Sequence, residues 1–160
     1  MDLEFHSTAA RGLRRYVRLV TAALEPTVDC AAVHWGDPVH AYVALSGLLH
    51  WFPGRAVALT WDAEHGWAMV LASCEVQAQI VLRYLGNDIL PAPRDVATFS
   101  GRLFRDEFAG RADPPLTGGA AQARDLTARL ACYAGPCRGR HRAAGVVHLY
   151  GVITSGFGRA

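Results

Sequence analysis

Between Cys30 and Leu85 the apolar residues stop recurring every three to four positions and begin to alternate. This switch constrains the fold more than any other feature, because a period of two matches the two faces of a pleated strand and no helix. Five short runs carry it: Ala31 to Trp35, Ala41 to Leu45, Ala56 to Trp61, Gly66 to Ala72 and Gln79 to Leu85. Asp37-Pro38 and Pro53-Gly54 mark two of the turns between them. The third and fourth runs can be placed in register. Pairing Trp61 with Trp67, Leu59 with Met69 and Val57 with Leu71 puts every large side chain on one face. The other face then carries Ala56, Ala58, Thr60, Ala68, Val70 and Ala72, small residues that would let a helix approach closely.

The flanks read as helices. Thr8 is placed to cap a helix reaching Leu24, in which Leu13, Val17, Val20 and Leu24 form an apolar stripe and Glu25-Pro26 sets the end. This helix is the expected cover for the small-residue face, in the manner of a two-layer fold. A second helix is expected from Arg94 to Phe108, with Pro93 near its first turn, and a third from Ala120 to Ala134. The fold class expected is α+β, a single antiparallel sheet of about five strands with an N-terminal helix and C-terminal helices. Residues 1–134 would form one domain. Residues 135–160 would be an Arg- and Gly-containing tail in which Val146 to Ile153 could add a strand. The expected hydrophobic centre is Leu13, Val17, Val20, Val43, Leu59, Met69, Leu82 and Phe99.

Composition limits the function classes. With 51% hydrophobic and 19% charged residues, the chain has the balance of a folded domain. No apolar run reaches the roughly 18 residues of a spanning helix, so no membrane role is expected. The four scattered cysteines suit a reducing compartment, and the expected location is cytoplasmic. All 16 residues of the Lys+Arg total are arginine; this could reflect selection for guanidinium chemistry, but the abundant Ala and Gly favour high-GC coding as the explanation. Arg11, Arg14, Arg15 and Arg18 form a second stripe on the first helix, either an acidic partner's landing site or simply its solvated face.

The chain contains no G-x-S-x-G elbow, Walker loop, Rossmann glycine fingerprint or H-E-x-x-H helix. Cys132, Cys137 and His141 supply three soft or borderline ligands where a structural zinc site wants four, so neither a metal nor a cofactor is expected. Chemistry-bearing residues concentrate instead in Trp61-Asp62-Ala63-Glu64-His65-Gly66-Trp67. Asp62, Glu64 and His65 are the catalytic candidates, since an imidazole beside carboxylates is readily tuned for proton transfer. The plainer reading makes them turn residues and the two tryptophans a core pair. Arg55, Trp61, Trp67, Arg11, Arg15 and Arg18 are the candidates for holding a ligand or partner, with Arg55 and His50 expected near the hairpin.

The series Ala41-Tyr42-Val43-Ala44-Leu45, Phe52-Pro53-Gly54-Arg55, Ala58-Leu59-Thr60-Trp61-Asp62, His65-Gly66-Trp67-Ala68, Tyr84-Leu85-Gly86 and Leu90-Pro91-Ala92-Pro93 resembles a family of short actinobacterial proteins catalogued as a domain of unknown function. The resemblance covers roughly Arg11 to Phe108 and brings no activity, ligand or catalytic residue with it. Three functions follow in order. First comes a non-enzymatic binding or regulatory module for a protein partner or small ligand. Second is a small enzyme of secondary metabolism using Asp62, Glu64 and His65. Third is a nucleic-acid-binding accessory protein using Arg138, Arg140 and Arg142, although three arginines without a recognised binding fold are thin support.

Overall fold

A computed structural model describes residues 2–72, 79–86, 88–115 and 120–135. The chain opens on α1 (Asp2–Leu24) and runs through β1 (Val28–His34), β2 (His40–Leu45), β3 (Val57–Asp62), β4 (Gly66–Leu71) and β5 (Ile80–Tyr84). It then forms α2 (Pro93–Phe104) and α3 (Ala120–Tyr133). The strands make one antiparallel sheet in the order β1-β2-β3-β4-β5, a meander, and the architecture is α+β. Trp61 pairs with Trp67, Leu59 with Met69 and Val57 with Leu71, the register that side-chain size demands.

The helices cover the face of large residues, which corrects the expectation that α1 would lie on the alanine face. Leu13, Tyr16, Val17 and Val20 share one buried core with Val43, Leu59, Trp61, Trp67 and Met69, to which α2 adds Val96 and Phe99 and α3 adds Leu126 and Leu130. Area decides the matter. Burying an apolar surface yields about 25 cal/mol per Å², so the stripe of α1 gains far more against tryptophan, leucine and methionine than against alanine. On the outer face Ala58, Ala68 and Val70 are buried all the same. They are small, and the register sets Thr60 and Ala68 between Tyr42 and Tyr84 in one cross-strand row.

Helix ends differ from the sequence reading in two places. α1 begins at Asp2, because Asp2–Ser7 contains no proline or glycine to stop it. Thr8 therefore lies inside the helix and accepts a hydrogen bond from the Arg11 guanidinium at 3.2 Å instead of capping an end. α2 ends at Phe104, four residues early. Asp106 takes a left-handed φ of 58°, its N–H bonds to Leu103 O, and the Glu107 N–H reaches back to Arg102 O at 2.9 Å. This pair of bonds is a Schellman stop, which closes a helix on its own carbonyls.

α3 meets α1 backbone to backbone. A Cβ on Gly12 would stand 1.8 Å from the Leu130 carbonyl oxygen, so only glycine permits the approach. Of the expected hydrophobic centre, Leu82 alone is half-buried; the other seven are buried. The tail strand at Val146 to Ile153, the tail arginines, Cys137 and His141 lie outside the described residues.

Candidate functional site

In a meander, alternate loops fall at the same end of the sheet. The β1–β2 loop, Trp35 to Val39, therefore sits beside the β3–β4 hairpin, and α3 passes over both. Between them lies a cleft of about 800 Å³, walled by Trp35–Val39, Trp61–His65, and Gln122, Ala123, Leu126, Thr127 and Leu130 of α3. That size is within the usual range for a small-molecule site. Its walls are largely apolar side chains, with Asp37, Asp62 and Glu64 supplying carboxylates. No arginine lines it among the described residues.

The hairpin is tighter than a five-residue loop. Asp62 and Gly66 are themselves paired, leaving Ala63, Glu64 and His65 at the tip, and Gly66 holds a left-handed φ of 72°. Asp62 organises the turn. Its Oδ1 accepts the backbone N–H of Glu64 at 2.8 Å and of His65 at 2.6 Å, an aspartate side chain mimicking a backbone turn. The same carboxylate lies 3.2 Å and 3.3 Å from His65 Nδ1. Glu64 Oε1 is 3.9 Å from Nε2, and the imidazole leans on the Tyr84 ring at a centroid distance of 5.9 Å. The structure thus brings Asp62, Glu64 and His65 together. Aspartate orients one ring nitrogen, leaving the other beside a carboxylate.

Two histidines absent from the sequence reading continue this group across the sheet. His34 pairs with His40 and their rings stack at 4.8 Å, while His40 in turn pairs with Asp62. Strand alternation and the meander order together contain this row, but only once β1 is registered on β2. Trp35, Asp37 and the α3 wall were also missed. The signal available for the loop residues was the parity of the loops; nothing local in the sequence announces the docking of α3.

The two tryptophans leave almost no surface for a ligand. Trp67 is fully buried and Trp61 is 1% exposed. The Trp67 indole N–H donates to Tyr16 Oη at 3.0 Å, and the Tyr16 hydroxyl donates to Pro91 O at 2.7 Å. The Trp61 N–H donates to Ile89 O at 2.7 Å. Burial pushes the Tyr16 hydroxyl well above the ordinary tyrosine range, so it remains a protonated donor. Trp61 still forms the floor of the cleft, and its hydrogen bond to the chain before α2 fixes that floor.

Arg55 and His50 are not near the hairpin, contrary to expectation. They belong to the β2–β3 loop, next to the Leu45–Val57 pair, whereas Asp62 is at the far end of the same strand. Five residues at ~3.3 Å each separate the two ends by about 17 Å. Arg11, Arg15 and Arg18 lie on the outward side of α1. Arg15 is partly committed, donating to the Gly135 carbonyl at 2.6 Å beyond the end of α3.

α3 is clamped at the cleft's side. Arg129 makes two parallel hydrogen bonds to Asp88, at 2.8 Å and 2.7 Å, and a third to Leu90 O at 2.9 Å. The guanidinium holds the Asp88 carboxyl below the usual carboxylate range.

Fold and site together define a small α+β protein with an acid-rimmed cleft at one end of a five-stranded meander. Residues 16–102 match a family of unknown function, DUF6292, and the chain belongs to that family. The matched segment spans most of α2, the whole sheet and the second part of α1. No curated protein matches the chain. No solved structure matches it either. Among the described residues no helix is long and apolar enough to cross a membrane.

Proposed function

We propose that this protein is a binding module whose cleft takes a small ligand with an apolar body and a positive charge. The observation carrying the reading is a local inversion of charge. In a chain of net charge +2 with 16 arginines, the cleft presents Asp37, Asp62 and Glu64 and, among the described residues, no arginine. An ammonium or guanidinium group would meet complementary potential there, and Trp35, Leu126 and neighbouring apolar groups would bury the rest of the ligand. The same charge sign disfavours phosphate, so this cleft supports a nucleic-acid ligand least.

A second reading draws on the Asp62–His65 contact. An imidazole oriented through Nδ1 leaves Nε2 for proton transfer, the arrangement of many acid–base dyads. It stands second because Asp62 already accepts two backbone N–H groups, a sufficient structural reason for its position.

Tryptamine and its anionic counterpart indolepropionate test the leading reading, since they share an aromatic body and differ in charge. Tryptamine should shift the amide resonances of residues 35–39, 62–66 and 122–130 in a saturable titration, and indolepropionate should not. Asp37→Asn and Glu64→Gln should each weaken tryptamine by roughly two- to tenfold while leaving unfolding unchanged. Equal response to both probes, or none to either, would remove the cationic-ligand reading.

A further inference from the structure

A second surface lies away from the cleft, near the end of the sheet that carries the β2–β3 loop. Leu49, Phe52, Leu82 and Leu103 line an apolar groove of about 220 Å³. Around it stand side chains that a solitary chain gains little by exposing: Phe108 is 75% exposed, Trp51 59% and Leu48 61%. The Trp51 and Phe108 rings meet edge to face at 6.3 Å, and the Arg83 guanidinium lies 5.5 Å over Phe108. Exposed tryptophan, phenylalanine and arginine beside an apolar depression have the composition of an interface centre.

We infer that this surface pairs two copies of the chain about a two-fold axis. The charges on its rim select that occupant. Arg83 and Asp106 line the same groove, and among the described residues neither makes an ion pair. Glu107, by contrast, is engaged by Arg102 and Arg105. A uniformly acidic partner would satisfy Arg83 and repel Asp106; a basic one would do the reverse. A two-fold pairing satisfies both, because in an isologous contact residue i of one copy meets residue j of the other, and j of the first meets i of the second. The adjoining strand edge agrees. β5 ends the sheet, and its outer backbone is bridged, among the described residues, only at Tyr84 by Arg111. Ile80 and Val81 there are exposed, an edge that association would shelter.

Sedimentation of the full-length chain across the micromolar range should show a monomer–dimer equilibrium. Trp51→Glu should raise the dimer Kd at least about tenfold. Arg83→Glu alone and Asp106→Arg alone should each weaken self-association, since each sets like charges together twice. Mixing these two variants should restore dimers. The acidic side chain then present at position 83 of one copy faces the basic one at position 106 of the other, while the unchanged Asp106 and Arg83 face each other across the second contact. Circular dichroism and cooperative unfolding verify that each variant is folded. A chain that stays monomeric throughout, or dimers indifferent to Trp51→Glu, overturns the proposal, as does a mixture no more associated than its separate components.

Discussion

Two buried hydroxyls, Tyr16 and Ser100, show how differently the same group can act on stability. The Tyr16 hydroxyl accepts from the Trp67 indole and donates to the Pro91 carbonyl, joining α1, β4 and the segment before α2. Tyr16→Phe would preserve the ring packing and strand both partners. Leaving a buried donor or acceptor unpaired costs about 1–3 kcal/mol each, so a loss of about 2 kcal/mol or more is expected in urea denaturation. Ser100 is 1% exposed and its Oγ has no hydrogen-bond partner among the described residues. Ser100→Ala removes an unsatisfied hydroxyl and places a strong helix former within α2, so stability should hold or rise by up to about 1 kcal/mol. Opposite signs from two hydroxyl deletions test the assigned network directly; equal losses would refute it.

At the scale of elements, the Arg129–Asp88 pair fastens α3 beside the cleft, and its strength should depend on acid. Hydrogen bonding from Arg129 depresses the folded-state carboxyl of Asp88 more than partial burial raises it. A carboxyl depressed on folding stabilises the fold above its unfolded pKa, near about 3.9, and that contribution disappears as pH falls through the lower folded value. Arg129 and Asp88 are 38% and 43% exposed, so solvent screening limits the effect to about 1 kcal/mol or less. Asp88→Asn should therefore destabilise at pH 7 and flatten the acid limb of unfolding below about pH 5. An unchanged acid limb would mean that the pair contributes nothing to holding α3. Helix 3 also shows where sequence legibility stops. The spacing of Leu126, Leu130 and Tyr133 is itself that of a helix, and the hairpin register followed from matching large residues in Val57–Leu71. The early end of α2 did not, because it depends on Asp106 accepting a left-handed backbone that no periodicity encodes. Nor did the face that α1 covers: small residues permit close approach, but the larger burial lay on the other side.

Across the molecule, the cleft is a product of packing among segments distant in sequence. The hairpin tip was recognisable from Trp61–Trp67 alone and the sheet order sets Trp35 beside it, whereas the α3 wall joins them only when α3 docks against α1. That docking has a steric gate at Gly12. Its α-carbon approaches the Leu130 carbonyl so closely that any Cβ would stand 1.8 Å from the oxygen, and Leu130 is itself a cleft residue. The backbone of α3 is the atom set that must move, since a carbonyl in a helix cannot swing aside as a flexible side chain can. Gly12→Val should thus displace α3 from α1, carrying Leu126 and Leu130 away from the Trp61 floor, while β1 to β5 retain their own ladder. Losing the burial of Leu126 and Leu130 should lower stability by several kcal/mol, on the order of 2–5 for each large apolar side chain. Amide exchange should accelerate in Ala120–Tyr133 well before it does in β3 and β4, and tryptamine shifts at the hairpin should vanish. Association through Trp51 and Phe108 should survive, because neither residue belongs to α3 or to the cleft wall. If Gly12→Val leaves α3 protected and the titration intact, the close approach is not what builds the cleft.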